Sequence, residues 1–153
     1  MMDKTALPLP DAILNLLKLE PLPFEGGFFR ETYRSKNFAA IPEKRRNCAT
    51  CIYFLLHGTE ISRIHKLASD EIWFYHAGTV SAEQTLIYAD GTKEIRSLGT
   101  HFANGDIVQS IIPAGVWQKT VLKKQSREDW ALFSTVVCPG FDIEDFVPGK
   151  EEL

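Results

Sequence analysis

His65 and Glu71 stand six residues apart, in a segment rich in aromatic and β-branched residues. A glutamate beside a histidine favours the protonated imidazole and fixes the orientation of its ring. Such an acid/base pair can move a proton at a carbon next to a carbonyl group. The spacing therefore predicts a catalytic pair, or at least a hydrogen-bonded pair in a metal-free pocket, whereas an isolated strand histidine would be structural.

Alternation along a strand predicts which side chains accompany this pair. In ISRIH (61–65), Arg63 and His65 share a face, and in EIWFYH (71–76), Glu71, Trp73 and Tyr75 share one. We expect Arg63 to anchor a carboxylate or phosphate through its planar guanidinium, and Trp73 to stack on a ring of the ligand. Since such polar groups are costly to bury dry, they predict a solvated pocket for a small polar or anionic molecule.

The elements that position these residues are mostly strands. Residues 7–20 (LPLPDAILNLLKLE) show a helical period, with Asp11 as a possible cap. From Gly26 onward, about eight to ten short runs of aromatic and β-branched residues alternate with turn sequences, which leave no room for helices. The pattern predicts one mainly β domain over residues 1–153, an antiparallel sandwich or barrel with a short N-terminal helix and an exposed loop at 36–47.

Composition excludes several classes of protein. The chain has 153 residues, 44% of them hydrophobic and 24% charged, with a net charge of −3, and its last twelve residues carry five acids against one lysine. A nucleic acid partner is disfavoured because it requires a basic face. No apolar run approaches the ~20 residues that cross a bilayer. The first residues lack the basic region before an apolar run that is typical of a signal peptide. With three cysteines, an odd number, we expect a cytoplasmic protein without disulfides.

Two segments resemble the conserved motifs of the cupin superfamily. GTEISRIHKLASDEIWFYHAG (58–78) is similar to the first motif, with one extra residue after its first glycine and Leu67 where the second histidine would stand. GDIVQSIIPAGVWQ (105–118) resembles the second motif, with two extra residues before the proline and Gln118 in the histidine position. Together with EGGFFRETYRS (25–35) and VCPGFDIEDF (137–146), they identify the chain as similar to a largely uncharacterised cupin branch.

The resemblance implies a cupin jelly-roll barrel, an antiparallel double-stranded β-helix that is usually homodimeric, with its site in the barrel mouth. In metal-bearing cupins the motif histidines and glutamate hold a divalent ion, and the matching ligands here would be His65, Glu71 and Gln118. Leu67 cannot ligate a metal, and the Gln118 amide oxygen is a weak ligand for a transition metal. We therefore expect no cofactor, and a divalent metal is the alternative.

Metal-independent sugar-nucleotide epimerases among the cupins use a histidine base and a tyrosine acid. By that resemblance Tyr75 and Tyr33 are the candidate acids, and the predicted function is that of an epimerase or isomerase acting on a sugar-like or carbonyl-bearing acid. One alternative is a cupin that binds a ligand without catalysis. Another is a metal-dependent dioxygenase or isomerase.

The segment EGGFFRETYRS supplies further candidate ligand-binding residues, Arg30 and Tyr33, and Gln118 of the second motif is another. Its two glycines allow a bulge or a close approach of the backbone. Arg30 and Tyr33 alternate onto opposite faces, and the pattern leaves open which face looks inward. The opposing interpretation is an edge strand whose charges discourage aggregation. Near the C-terminus, FDIEDF (141–146) is interpreted as a strand end or a lid contact.

Overall fold

The structure, a computed structural model, describes residues 9–151. Within them the chain forms one α-helix, eleven strands and two 3-10 turns, at Phe102–Asn104 and Ile143–Asp145. The helix is α1 (Pro10–Leu17). The strands are β1 (Glu20–Pro21), β2 (Phe28–Arg34), β3 (Thr50–His57), β4 (Ile61–Lys66), β5 (Asp70–Gly78), β6 (Ala82–Ile87), β7 (Lys93–Leu98), β8 (Gln109–Ile112), β9 (Trp117–Leu122), β10 (Trp130–Cys138) and β11 (Val147–Pro148).

The strands form two antiparallel sheets. One has the order β1-β2-β3-β10-β5-β8 and the other β11-β4-β9-β6-β7. The expected mainly β jelly-roll fold with one short N-terminal helix is confirmed. From Gly26 onward the described residues contain ten strands, β2 to β11, within the predicted range of eight to ten, and β1 precedes that glycine. No helix of the described residues is long and apolar enough to cross a membrane.

Helix α1 is shorter than the predicted 7–20, of which residues 7 and 8 lie outside the described residues. Pro10 opens it in the first turn, where its missing N–H is not needed. Asp11 also lies in the first turn and makes no capping hydrogen bond, so the predicted cap was wrong. The helix ends at Lys18, which adopts the left-handed conformation (φ 54°). Ile13 packs with Leu55 and Trp130 and holds the helix against the outside of the barrel.

The main core lies between the two sheets. β10 occupies the middle of the six-stranded sheet and pairs with β3 and β5. Trp73 packs edge to face against Phe54 and Phe133, with ring centroids 5.4 and 5.2 Å apart. Alternation along β5 holds as predicted, since Glu71, Trp73 and Tyr75 are all buried. Trp73 and Tyr75 belong to the packed core, whereas Glu71 lies beyond it, where the barrel opens into a cavity.

Strand β4 does not keep its predicted alternation. Ser62 pairs with Thr120 and His65 pairs with Gln118, so two residues of β4 face one residue of β9 and form a β-bulge. A bulge shifts the phase of side chains by one residue. Ser62 and His65 are both buried, and Arg63 is exposed. The expectation that Arg63 and His65 share a face was therefore wrong.

Candidate functional site

A cavity of about 670 Å³ opens at one end of the barrel. Strands β2, β3, β5 and β10 form its walls, and the turn before β2 and the chain after β10 border its mouth. Much of its wall is apolar. The apolar side chains that line it include Leu22, Phe24, Phe29, Ile52, Leu67 and Val137.

Glu71 supplies a buried carboxyl group to this cavity. Its side chain enters from the first inward-facing position of β5, and its Oε2 accepts a hydrogen bond of 2.7 Å from Gln118 Nε2. Burial raises the pKa of Glu71, and the neighbouring Glu25 carboxyl raises it further. His65 and the Gln118 hydrogen bond act in the opposite direction. The net direction is upward, so the site favours the protonated carboxylic acid.

His65 is only 1% exposed and lies beside the cavity rather than in its lining. Its Nδ1 is 2.6 Å from the Arg63 carbonyl oxygen, which fixes this nitrogen as the N–H donor because a carbonyl can only accept. Nε2 faces Glu25 Oε1 at 3.8 Å. The ring stacks on Phe146, with centroids 5.0 Å apart and planes 17° from parallel. The hydrogen bond and the stacking together hold the histidine ring in one orientation.

The predicted hydrogen bond between His65 and Glu71 is not formed among the described residues. Glu71 accepts a hydrogen bond from Gln118, and His65 donates one to the carbonyl oxygen of Arg63. The two side chains influence each other only through their charges. The carboxyl group closest to His65 in this arrangement is that of Glu25.

Glu25 is a site residue that the sequence reasoning missed. Its Oε1 accepts a 2.7 Å hydrogen bond from Ser62 Oγ, and its backbone carbonyl accepts one of 2.8 Å from the Arg63 amide. Gly26 follows it at φ +101°, where a Cβ would collide with the Ile61 carbonyl oxygen, so the chain can pass there only as glycine. The Gly-Gly pair was the available signal, because a close backbone approach brings the preceding side chain to β4.

Three predicted site residues lie away from the cavity lining. Arg63 is exposed, and its Nη2 donates to the Pro23 carbonyl oxygen at 2.5 Å. Trp73 is fully buried in the core, so no ligand ring can reach its face. The Tyr75 hydroxyl donates to the Val80 carbonyl oxygen at 3.0 Å, and burial, with the Asp106 charge, raises the pKa of Tyr75 to about 12.

The remaining predicted residues divide between the cavity and its surroundings. Gln118 is 1% exposed and reaches Glu71, and its Oε1 has no hydrogen-bond partner within residues 9–151. Arg30 contributes to the cavity lining, with its guanidinium 5.5 Å from the centre of the Tyr53 ring. Tyr33 is 55% exposed and does not line the cavity.

The inward face of β2, left open by the sequence, carries Phe29 and Glu31. A bulge between Glu31 and Tyr33 then brings Arg34 to the same cavity. Arg34 donates to both carboxylate oxygens of Glu31, at 2.6 and 3.2 Å, and also to Asn47 Oδ1 and to the Phe141 carbonyl oxygen. Its guanidinium is thus occupied by the protein itself.

The C-terminal segment, residues 139–149, crosses the cavity mouth. Phe141 and Ile143 line the cavity, and β11 pairs with β4 beside His65. Asp145 anchors the segment through a two-pronged ion pair with Arg46, with Nε to Oδ2 at 2.7 Å and Nη2 to Oδ1 at 3.1 Å. The prediction of a lid contact therefore has a structural basis, and the loop at 36–47 contains a buried arginine rather than being exposed throughout.

The donor set does not fit a divalent metal. Within the described part of the chain, no three histidine, cysteine, aspartate or glutamate side chains converge as metal ligands. Leu67 lines the cavity with an apolar side chain at the position of a cupin histidine. The Gln118 side chain directs its amide N–H toward Glu71. A glutamine that binds a metal would instead direct its amide oxygen toward the same point. No chemical step is therefore assigned to a metal.

The chain is similar to a known protein family, to a curated protein and to solved structures. The family model of the Cupin superfamily (DUF985) matches residues 11–147. An uncharacterized protein of Saccharomyces cerevisiae is 32% identical over 144 residues, covering 84% of this chain and 71% of its own length. A solved structure of a Shewanella oneidensis protein is 33% identical and covers 95% of this chain and 87% of its own, with a TM-score of 0.84.

A more distant likeness concerns the fold alone. Oxalate decarboxylase of Bacillus subtilis is 20% identical, with a TM-score of 0.58, and covers 82% of this chain and 29% of its own. Mn(II) centres are described for that enzyme.

Proposed function

The chain belongs to the cupin superfamily family DUF985, and from this premise we propose that it binds a small molecule in the barrel mouth and transfers protons on it as an epimerase or isomerase. The substrate would carry a carbonyl group, as a keto compound or a sugar-like molecule does. One observation carries the proposal: Glu71 and Glu25 both line the cavity, and burial together with Glu25 raises the pKa of Glu71.

The two carboxyl groups would take opposite roles, as in other enzymes where the environment separates the pKa values of paired groups. Protonated Glu71 would donate its proton to the substrate carbonyl oxygen. Glu25, held by Ser62 and next to His65 Nε2, would accept the proton from the adjacent carbon. Glu25 would then return its proton to the enol carbon as the enol hydroxyl returns its proton to Glu71, so that both carboxyl groups end in their starting states. Delivery of the proton to the opposite face of that carbon would give the epimer.

This scheme replaces the tyrosine acid of the sequence hypothesis by Glu71. Tyr75 directs its hydroxyl into the core, and Tyr33 lies on the surface, which supports assigning the acid role to the carboxyl group that faces the cavity. His65 would act as a positioning residue, because its Nε2 stands by Glu25 rather than in the cavity lining.

The test is solvent deuterium exchange followed by proton NMR, with a panel of ketones, keto acids and ketoses incubated with the protein in D₂O. The wild type should exchange the hydrogens next to the carbonyl of at least one compound, and Glu71→Gln and Glu25→Gln should lose at least 100-fold of that rate. Tyr75→Phe is the matched control and should retain it. Exchange that survives both glutamine variants, or that disappears in Tyr75→Phe alone, would refute the assignment.

Ligand binding without catalysis is the second candidate, and the apolar wall of the cavity favours it, because a wall of this kind binds without taking part in proton transfer. It predicts saturable binding by the wild type with no exchange in any bound compound. A metal-dependent reaction is a weaker candidate given the donor set, and elemental mass spectrometry of the protein beside His65→Ala would test it. A stoichiometric metal that is lost in the variant would favour it.

We also propose that residues 1–153 form one domain, that the protein works in the cytoplasm and that it is a homodimer. Ile95 on edge strand β7 and Ile111 on edge strand β8 are 67% and 54% exposed, and apolar edges support association. Light scattering after gel filtration should give twice the monomer mass of 17.3 kDa. A monomer at micromolar concentration would contradict the dimer.

A further inference from the structure

We infer that the cavity takes an uncharged, largely apolar molecule with a single carbonyl or hydroxyl group, and that it excludes nucleoside diphosphate sugars. The inference rests on the proposed function, which it deepens by naming the substrate class. It differs from the expectation of a small polar or anionic ligand, which depended in part on Arg63 and Trp73 facing the pocket.

The first support is the character of the wall. Side chains from three strands and two connecting segments present only hydrocarbon to the cavity: Leu22, Phe29, Ile52, Leu67 and Val137. A phosphate or a row of sugar hydroxyls placed against them would lose its hydration without gaining hydrogen bonds. An alkyl or aromatic body would instead exchange water contact for apolar contact.

The second support is that the arginine best placed to bind an anion is already occupied. The Arg34 guanidinium donates four hydrogen bonds of 2.6 to 3.2 Å, to Glu31, Asn47 and the Phe141 carbonyl oxygen. A phosphate would have to displace Glu31 from a bidentate ion pair, the strongest arrangement that an arginine and a carboxylate form. The cavity thus offers no free guanidinium fork at this position.

The third support is the balance of charge around the mouth. Besides Glu71, the lining contains the carboxyl groups of Glu20, Glu25 and Glu31. The other basic groups in the lining are Lys18 and Arg30, and the Arg30 guanidinium lies over the Tyr53 ring. Because Glu31 is paired with Arg34, the remaining charges are Glu20 and Glu25 against Lys18 and Arg30. A diphosphate, with at least two negative charges, would therefore meet no net positive charge, whereas an uncharged ligand requires none.

The polar part of the ligand is limited to one end. Beyond the apolar wall, Glu71 and Thr135 supply the polar groups of the closed end. A protonated carboxyl donates one hydrogen bond, which a single carbonyl or hydroxyl oxygen can accept. The volume of about 670 Å³ equals that of about twenty waters, at ~30 Å³ each, which is ample for a molecule of ten to fifteen non-hydrogen atoms.

Three probes separate the ligand classes: 2-decanone as the uncharged ketone, decanoate as its anionic counterpart, and uridine diphosphate glucose. Binding is followed by NMR of ¹³C-labelled methyl groups of Ile52, Leu67 and Val137, which line the cavity. We expect saturable shifts with 2-decanone, and at least tenfold weaker binding of the other two probes. Tighter binding of either anion, or no saturable shift with any probe, would overturn the inference.

Two neighbouring valines provide a matched pair of variants. Val137 faces the cavity from β10, and Val136 lies on the opposite face of the same strand. Val137→Phe should abolish the shifts caused by 2-decanone at Ile52 and Leu67, whereas Val136→Phe should leave them unchanged, with melting temperature confirming that both variants fold. Equal effects of the two variants would mean that the ketone binds elsewhere, which also contradicts the inference.

The same samples distinguish this inference from the proposed function. If 2-decanone binds in the cavity but its hydrogens next to the carbonyl do not exchange with D₂O, the catalytic proposal fails for this ligand and the ligand class stands. If exchange occurs instead with an anionic carbonyl compound such as a keto acid, the ligand class fails and the catalytic proposal stands.

Discussion

Removing the charge of Asp145 should release the C-terminal segment from the barrel. Asp145 is 7% exposed and accepts two hydrogen bonds from Arg46, which is 6% exposed. Hydrogen bonds from Arg46 hold the pKa of Asp145 at about 2, against an ordinary value of 3.8. Lys44 Nζ also contacts Asp145 Oδ1, at 2.9 Å. Asp145→Asn keeps the size of the side chain and removes its charge, so it tests the ion pairs with Arg46 and Lys44 together.

The magnitude follows from the pKa. A difference of nearly two units, at 1.36 kcal/mol per unit, corresponds to about 2 kcal/mol of folding free energy at neutral pH. Since the pKa of Asp145 is lower in the folded state, this contribution is present above pH 4 and is lost as the pH falls from about 4 to 2. Asp145→Asn should therefore destabilise the protein by about 2 kcal/mol at pH 7 and by much less at pH 2.5.

Urea denaturation followed by tryptophan fluorescence measures both values. Glu144→Gln is the matched control, because Glu144 also contacts Arg46, at 3.2 Å, but its side chain is 77% exposed. Exposed ion pairs contribute roughly 0 to 1 kcal/mol, so this control should change little at either pH. Equal losses in the two variants, or a loss in Asp145→Asn that does not depend on pH, would refute the reasoning.

Three further variants test other contacts. Glu71→Gln should become more stable relative to the wild type as the pH rises above about 4.5. Burial raises the pKa of Glu71, so ionisation of this group destabilises the folded wild type but not the variant. Urea midpoints of both proteins at pH 4.5 and pH 8 measure the difference. Phe146→Ala should lose about 1–2 kcal/mol of stability through its contact with His65, and a change below 0.5 kcal/mol would contradict that. Asp106→Asn should cost about 2 kcal/mol at pH 7 and less near pH 2, since hydrogen bonds from Ser81 and Ser97 outweigh burial and hold the pKa of Asp106 at about 2.

The fold was predictable because its signals are local. Alternation in EIWFYH placed Glu71, Trp73 and Tyr75 on the inner face of β5, and the structure agrees. Alternation does not show how far along the barrel axis each side chain lies. Trp73 and Tyr75 share a face with Glu71 but lie in the packed core, so the two aromatic residues were assigned to a pocket that only the glutamate reaches.

The errors in the site have long-range causes. The bulge in β4 arises from its pairing with β9, where Thr120 and Gln118 oppose Ser62 and His65, and nothing within ISRIH announces the extra residue. Glu25 approaches His65 only because its turn packs on β4, forty residues along the chain from that histidine. Neither contact could be found from spacing within one strand.

The substitutions that distinguish this chain from metal-bearing cupins act together on one carboxyl group. Leu67 replaces an imidazole by hydrocarbon and makes the surroundings of Glu71 less polar, which raises the cost of ionising it. Gln118 replaces another imidazole by an amide whose N–H holds Glu71 in place without adding a full charge. Glu25 then adds a like charge from the turn. Burial and Glu25 raise the pKa of Glu71 and outweigh the Gln118 hydrogen bond, which lowers it. The net effect moves Glu71 away from the ionised form that a metal ligand requires and toward the protonated form that the proposed mechanism uses.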